Sequence, residues 1–386
     1  MRTLWRGISA ACALFLAACS TVVPRTAPPV PPPPPPPGVT APVPQALPQD
    51  QSRHRIAMLV PMSGPNAAVG RSLANAANLA LLDTGGKTLR ITTYDTAPGA
   101  AAAASRAVAE GNRLFLGPLL ADDVRAVAPV ARAARVPVLS FSNDTEVAGN
   151  GVFLLGFTPG QSIDRVVRYA KSRGATRFAG LVPTGLYGQR AAKALIQAAE
   201  DAGGSVVSLQ NYDRSPQALN AAVQKLGREQ GFDAILVADA GRIAMQAAAL
   251  IKKSGSPNAQ LLGTELWNTE PSLTASAAMR GAWFASVPDT MYRQLSQKYR
   301  ARFGTGAYRL SSLAYDSVLL ATRIAADWKV GDPFPIRRLT GGDGFSGVDG
   351  AFRFGSDGIA ERALAVHQVD AGGFTVVSPA PRNFAE

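Results

Sequence analysis

Short, wholly apolar runs alternate along this chain with amphipathic stretches of helical period, and that alternation constrains the fold more than any other feature. Ile56-Ala57-Met58-Leu59-Val60 is apolar at every position and is closed by Pro61 and a Ser63-Gly64-Pro65 turn. A run with no in-and-out alternation suits a strand buried on both faces, as in a parallel sheet. Behind it Val69, Leu73, Ala77, Ala80 and Leu81 fall on one side at the 3.6-residue period, and Gly85-Gly86 ends the helix. The same reading predicts strands over 89–94, 114–116 and 136–141, with helices over 100–110 and 122–132 between them. Further strands over 178–182, 205–209, 234–238 and 260–262 are separated by helices near 162–172, 189–202, 217–229 and 242–253. Strands that alternate with amphipathic helices imply parallel sheets with right-handed crossovers. Two runs of such units are more than one sheet of a single domain usually holds, so the expected fold class is α/β with two lobes. Past Trp283 the pattern changes to two longer helices, 292–303 and 310–328. A glycine-rich β tail follows from 345 to 377, with turns at Asp343-Gly344, Asp357-Gly358 and Gly372-Gly373.

The first residues read differently. Arg2 and Arg6 precede an apolar stretch from Ile8 to Ala18. That stretch is too short to span a bilayer, which takes roughly 20 apolar residues. A cationic start with a short apolar core is the pattern of a secretory signal. It ends Leu16-Ala17-Ala18-Cys19, which resembles a bacterial lipobox, so residues 1–18 are expected to be removed and Cys19 to carry lipid. Several acyl chains on one residue anchor stably, since each buried CH₂ contributes about 0.8 kcal/mol. Ser20, in place of aspartate, resembles the sorting signal for the outer membrane. Cys12 is the only other cysteine and lies inside the signal, so the mature chain is expected to hold no disulfide. The folded part is long enough to do without one.

Residues 19–52 form the expected tether. Proline dominates from Pro24 to Pro48, including the unbroken run Pro31 to Pro37. Such a segment cannot form a helix or a central strand. In polyproline II form it would reach on the order of 75 Å at full extension. The formal charge is +12 overall, and beyond residue 52 there are 36 basic against 26 acidic residues. A basic surface suits anionic partners, which for an exported protein are cell-wall polymer, lipid headgroups or an acidic protein face. Nucleic acid is not expected there.

The chemistry of an enzyme does not appear. His54 and His367 have no cysteine or acidic neighbours at ligand spacing, so no metal site is expected. The chain has no G-x-S-x-G elbow, no P-loop and no S-x-x-K, so no catalytic residue and no cofactor is assigned. Glu265 and Glu270 flank Trp267, but loop carboxylates beside a tryptophan are more often solvated or cleft-lining than catalytic.

In order and spacing, residues 56–65, Gly70, Gly117-Pro118-Leu119-Leu120, Val136-Pro137-Val138-Leu139-Ser140, Phe157-Thr158-Pro159, Leu186-Tyr187-Gly188-Gln189 and Gly347–Phe354 resemble the type 1 periplasmic binding proteins. That resemblance implies two parallel-sheet lobes around a cleft joined by crossover strands. Lobe 1 would be 53–157 plus 285–330, and lobe 2 would be 158–284 plus 331–380. A ligand would lie where strand ends and helix N-termini meet. The candidate cleft residues are Ser63, Asp122, Ser140, Ser142, Asn143, Tyr187, Asp239, Glu265 and Trp267, with Tyr187 as a stacking residue. Where receptors of this family offer hydroxyls after the Gly-Pro turn, this chain has Ala121, Asp122 and Asp123. Two carboxylates there would repel a ligand carboxylate, and the commoner role of Asp122 is to cap the following helix. With the lipobox, the tether, Tyr94-Asp95-Thr96 and Leu139–Asp144, the chain also resembles the penicillin-binding-protein activator lipoproteins. That narrower resemblance implies an outer-membrane lipoprotein that contacts a peptidoglycan synthase. The alternative is a solute receptor of an ABC importer with a small ligand in the cleft.

Overall fold

The computed structural model describes residues 52–386 except 230, 255, 343, 383, 385 and 386. The expected signal, Cys19 and the proline tether lie outside the described residues. The strands are β1 His54–Val60, β2 Leu89–Asp95, β3 Leu114–Leu116, β4 Val138–Ser140, β5 Val152–Leu154, β6 Arg177–Pro183, β7 Ser205–Tyr212, β8 Ala234–Val237, β9 Gln260–Gly263 and β10 Trp283–Ser286. The tail adds β11 Phe345–Gly347, β12 Gly350–Phe354, β13 Ala360–Arg362, β14 Ala365–Asp370 and β15 Gly373–Ser378. The helices are α1 Ala67–Asp83, α2 Ala100–Ala109, α3 Ala121–Ala133, α4 Pro159–Ser172, α5 Leu186–Asp201, α6 Pro216–Glu229, α7 Gly241–Ile251, α8 Thr290–Phe303 and α9 Ser311–Ala325.

Lobe 1 is a parallel sheet in the order β2-β1-β3-β4-β5. Lobe 2 has the order β15-β14-β10-β9-β8-β6-β7, parallel from β7 to β10 and antiparallel at β14 and β15. A small antiparallel sheet, β11-β12-β13, stands apart. The fold class is α/β, as the alternation predicts. Each large sheet is buried on both faces. In lobe 1 one face packs on α1 and α9 through Leu73, Ala77 and Leu313, and the other on α2 and α3 through Ala104 and Val127. In lobe 2, α6 and α7 cover one face and α4 and α5 the other. From Ile56 to Val60, β1 is apolar at every position because both its faces are covered.

Among the sequence-based boundaries that shift, two have a clear physical cause. Strand 136–141 shrinks to β4, since Pro137 has no N–H to give a neighbouring strand. The expected lobe boundary at 331 needs correction. Phe334, Leu339, Phe345, Phe352 and Phe354 pack into the lobe 1 core with α1 and α9, because these apolar side chains complete a hydrophobic surface that α9 leaves open. The chain crosses between lobes after β5, after β10 and between β13 and β14.

One local device occurs twice. In the first strand–helix unit of each lobe, a helical glycine lies against the carbonyl that ends the strand. A Cβ at Gly70 would overlap the Pro61 oxygen, and one at Gly188 would overlap the Pro183 oxygen. Both are backbone atoms, so nothing can rotate away. Gly188→Ala is expected to destabilise the domain by about 1–3 kcal/mol as an overpacked contact, measurable by urea denaturation. An unchanged midpoint would mean that α5 slides freely along β6.

Candidate functional site: the cleft between the lobes

The C-terminal ends of the lobe 1 strands and the N-termini of α1 and α3 face the corresponding ends of lobe 2. Between them lies a cavity of about 530 Å³. Its apolar wall is Val69, Leu119, Leu120, Phe141, Phe157 and Leu310. Its polar groups are few: Asn66, Asn143, Glu265, Asn268, Thr269 and Arg309 among them.

Of the nine candidate residues, Asn143 and Glu265 line this cavity. The others are engaged elsewhere. Ser63 Oγ donates to Asp95 Oδ2 at 2.7 Å, in the turn after β1. Asp122 neither caps α3 nor lines the cavity. The N-cap position is Leu120, and Asp122 sits in the first turn, its side chain 95% exposed and paired with Arg125 at 2.8 Å. An acidic residue there is favoured by the helix dipole. Ser140 and Ser142 are buried and hold the loop after β4. Ser140 Oγ donates to the Pro118 carbonyl and accepts from the Ser142 N–H, and Ser142 Oγ accepts from the Asp144 N–H. Asp239 is buried and accepts from Tyr212 Oη at 2.8 Å and from Arg214. Trp267 is wholly buried in the lobe 2 core, its Nε1 donating to the Asp239 carbonyl at 3.1 Å. Tyr187 packs on the α4–α5 side of lobe 2, with its hydroxyl 3.0 Å from Thr264 Oγ1 and 3.4 Å from Glu265 Oε1. It is therefore not placed to stack on a ligand in the cavity. Burial, followed by the Glu265 charge, pushes the Tyr187 hydroxyl pKa up.

Glu265 is turned into lobe 2. Burial raises its pKa, offset in part by the hydroxyl of Ser162, which donates to Oε2. The cation on the wall, Arg309, is already matched. It pairs with Asp349 at 2.8 Å and Asp289 at 3.7 Å, and stacks over Tyr292 with its guanidinium carbon 4.0 Å from the ring centre. Asn268 Nδ2 donates to Asp289 at 2.8 Å, and Asn268 Oδ1 is buried without a partner. The cavity thus offers apolar area and a few neutral polar atoms rather than a free charge for a carboxylate. Sequence reading misses Arg309, in the turn before α9, and Asn268, in a short 3₁₀ turn over Glu265–Thr269, since neither segment has motif character. A proline-turn polar residue such as Asn66 was the nearest available signal.

Beside the cavity the lobes are joined by an ion cluster. Asp144, from lobe 1, has a side chain 4% exposed and accepts from Arg125 at 2.7 Å and from Arg190 on α5 of lobe 2. Burial alone would raise the Asp144 pKa. The Glu146 N–H and the two guanidiniums outweigh it and hold the carboxyl below its usual range. A depressed carboxylate stabilises the fold above its unfolded pKa of about 4 and loses that contribution as pH falls through the folded value. Arg190→Ala is expected to cost about 1–2 kcal/mol at neutral pH and to weaken the loss of stability below pH ~4. Thermal melts across pH 3–7 measure both, and parallel wild-type and variant curves would sink the assignment.

Among the described residues no cluster of His, Cys, Asp or Glu is arranged to hold a metal, and no helix is long and apolar enough to cross a membrane.

An uncharacterised protein of Rickettsia prowazekii, RP748, is 25% identical over 180 residues, which is 46% of this chain and 48% of that protein. The chain therefore spans about half the length of the curated relative it matches. Among solved structures, a branched-chain amino acid ABC transporter periplasmic ligand-binding protein from Burkholderia xenovorans aligns with a TM-score of 0.70 at 15% identity, covering 86% of this chain and 96% of that one. The C-domain of LpoA from Haemophilus influenzae, described as a regulator of PBP1A, aligns with a TM-score of 0.68 at 19% identity, covering 84% and 99%. These identities speak for the fold alone. The periplasmic binding protein family matches over residues 54–373, and the chain, with its two type 1 lobes around a cleft, belongs to that family.

Proposed function

We propose that this protein is a lipid-anchored regulator that binds a peptidoglycan synthase, a penicillin-binding protein, across the periplasm and shifts it toward its active form. The observation that carries this reading is the state of the cleft. Arg309 is already matched by Asp349 and Asp289, and Asp144 and Arg190 bridge the lobes with the chain's own charges. A domain held in one shape without a ligand suits docking against another protein better than capture and release of a solute. The lipobox at Cys19, the outer-membrane signature of Ser20 and the proline tether support the same reading, because a long stiff leash serves contact at a distance. The likeness in fold to the LpoA C-domain is consistent with it. No step requires catalysis by this chain. Its part is binding, and the synthase performs the chemistry.

The test is pull-down and glycan-polymerisation assays with the organism's own purified synthases. Binding with a faster polymerisation rate is expected. Neither binding nor a rate change with any of them would overturn the proposal.

A second reading has one observation in its favour. The cavity of about 530 Å³ and the unpartnered Asn268 Oδ1 could receive a small, largely apolar ligand with one donor group, as a receptor for an importer would. Thermal-shift screening of amino acids, short peptides and muropeptides separates the two, since a ligand that binds only the folded state raises its melting temperature. Stabilisation by several degrees from one class would move the receptor reading ahead.

A further inference from the structure

Helices α1, α2, α4 and α5 are each closed by a left-handed glycine two residues past the last helical one, at Gly85, Gly111, Gly174 and Gly203. Helix α3 closes the same way on Arg135, at φ 55°. The Arg135 N–H donates to the Arg132 carbonyl at 3.0 Å and the Val136 N–H to the Ala131 carbonyl at 2.9 Å, the pair of bonds that a glycine usually completes. A side chain at such a φ crowds its own backbone. The carbonyl dipoles of α3 favour a cation nearby, but Arg132 in the last turn already supplies one. Arg214, another non-glycine residue in this region, spends its side chain on an ion pair with Asp239 at 2.9 Å. The Arg135 guanidinium has no such partner among the described residues. A third, Asn150 at φ 50°, lies between Gly149 and Gly151 in the turn before β5.

Arg135 and Asn150 belong to the same hollow, of about 310 Å³, together with Arg132. Its other walls are apolar: Val136, Pro137, Val138 and Val152 around the starts of β4 and β5, and Ile336 from the segment before β11. Ile336 is 39% exposed, and the next residue, Arg337, is exposed as well. No carboxylate lines the hollow. Arg132, Arg135 and Asn150 are exposed, and among the described residues none of their side chains forms an ion pair or hydrogen bond. Since β4 and β5 run parallel and begin here, the hollow opens at the end of lobe 1 opposite the cleft.

We propose that this hollow is where the partner synthase docks, through an extended acidic segment that carries an apolar side chain. The inference rests on the reading above, in which this chain binds such a synthase. Charge complementarity identifies the occupant. Two unpaired guanidiniums stand at an opening that has no carboxylate of its own, and a guanidinium pairs with a carboxylate through two parallel N–H···O bonds. The apolar side chain covers the valines, Pro137 and Ile336, and the Asn150 amide meets a backbone group of the segment. The apolar surface is recessed, so a protruding side chain reaches it, whereas a bilayer is met by an apolar face that projects between cations. The strain at Arg135 is retained because its side chain acts outside the chain. The cleft, at the opposite end of the strands, stays clear of the contact.

The experiment measures the affinity of the full chain, carrying Cys19→Ser, for the organism's own purified synthases by surface plasmon resonance. Wild type is expected to bind, and less tightly as salt rises, because exposed charges are screened. Arg132→Glu with Arg135→Glu is expected to bind about tenfold or more weakly. A control with the same change in net charge, Arg242→Glu with Arg280→Glu on lobe 2, is expected to stay within about twofold of wild type, since screening confines each charge to its own surroundings. Circular dichroism checks that the charge-reversed variants fold. Arg135→Gly carries a signature that a structural role would not. Its melting temperature is expected to stay at or above that of wild type, because glycine suits the left-handed turn, while its affinity falls about threefold or more. If wild type binds no synthase, the regulator reading falls and this docking point with it. If wild type binds, and the double variant binds as tightly or the control loses as much, the docking point alone falls and the regulator reading stands. An Arg135→Gly variant that melts lower and binds as well as wild type would make Arg135 a structural residue and overturn the proposal. So would retention on anionic phospholipid vesicles that the double variant loses while keeping its synthase affinity, since the hollow would then serve lipid.

Discussion

Asp349→Ala is expected to destabilise the folded domain by about 3–5 kcal/mol, the loss that follows when one member of a buried ion cluster is removed. Asp349 is fully buried in the turn between β11 and β12, 2.8 Å from Arg309 and beside the buried Arg362. Arg362 donates to the Leu155 carbonyl and lies over Phe157, its guanidinium carbon 4.8 Å from the ring centre. Burial pulls the Arg362 pKa down, and Asp349 and Asp316 push it back up. Without Asp349 two guanidiniums would share an apolar site with too little negative charge. Asp349→Asn keeps the shape and removes the charge, so it isolates the electrostatic part and is expected to lose nearly as much. Chemical denaturation measures both, and an asparagine variant as stable as wild type would show that shape alone sustains the cluster.

The same cluster predicts a pH signature. Burial first, and the neighbouring Asp349 charge second, raise the Asp316 pKa to about 7. An unfolded aspartate titrates near 4, so between about pH 4 and 7 the native state holds a proton that the unfolded chain gives up. Stability contributed by Asp316 is therefore present below pH 4 and declines as pH rises to 7. This runs opposite to the contribution of Asp144. Asp349→Asn removes the second cause of the shift and is expected to flatten that decline, read from melting temperatures across the window.

Trp267→Ala carries the second large effect, about 3–5 kcal/mol by cavity formation. The ring is wholly buried, and a Cβ at Gly263 would fall within its atoms, so the bare backbone of β9 forms one wall of its slot. Its other contacts run to Phe284 and to the Asp239 carbonyl. Trp267→Phe refills much of the volume and loses the hydrogen bond, for an expected cost of about 1–2 kcal/mol. Equilibrium denaturation separates the two. A loss under about 1 kcal/mol for the alanine variant would show that the slot collapses on itself.

Trp267 also marks where sequence reading reaches its limit. The strands and helices were legible because burial on both faces of a parallel sheet leaves an unmistakable record. Ile56–Val60 is apolar at every position, and α1 keeps its period. The cleft left no such record. Trp267, Tyr187 and Asp239 look like ligand-binding residues by type and by their place after strands, yet each is consumed by packing or internal hydrogen bonds in lobe 2. Asn143 reaches the cavity wall while Ser142 and Asp144 beside it do not, and Glu265 reaches it while Thr264 does not. Which way a loop side chain turns is decided by long-range partners, such as Ser162 for Glu265, more than 100 positions away. The lobe boundary failed for the same reason. Phe345 to Phe354 read as part of a β tail, and only the surface of α9 determines which core they and Phe334 join.

The order of β1 in its sheet has a consequence for how the chain comes to be folded. β1 lies between β2 and β3, and its face toward α1 is closed by α9 and by the aromatics up to Phe354. The first segment of the domain to emerge therefore waits for nearly the last. Lobe 2 is arranged otherwise: β6 to β10 and α4 to α7 occupy the single stretch from Pro159 to Ser286, with β14 and β15 added at one edge. As the chain folds, its middle can assemble its own parallel sheet while lobe 1 is still open, and the two ends then close together around the crossings that Asp349 and Arg362 hold.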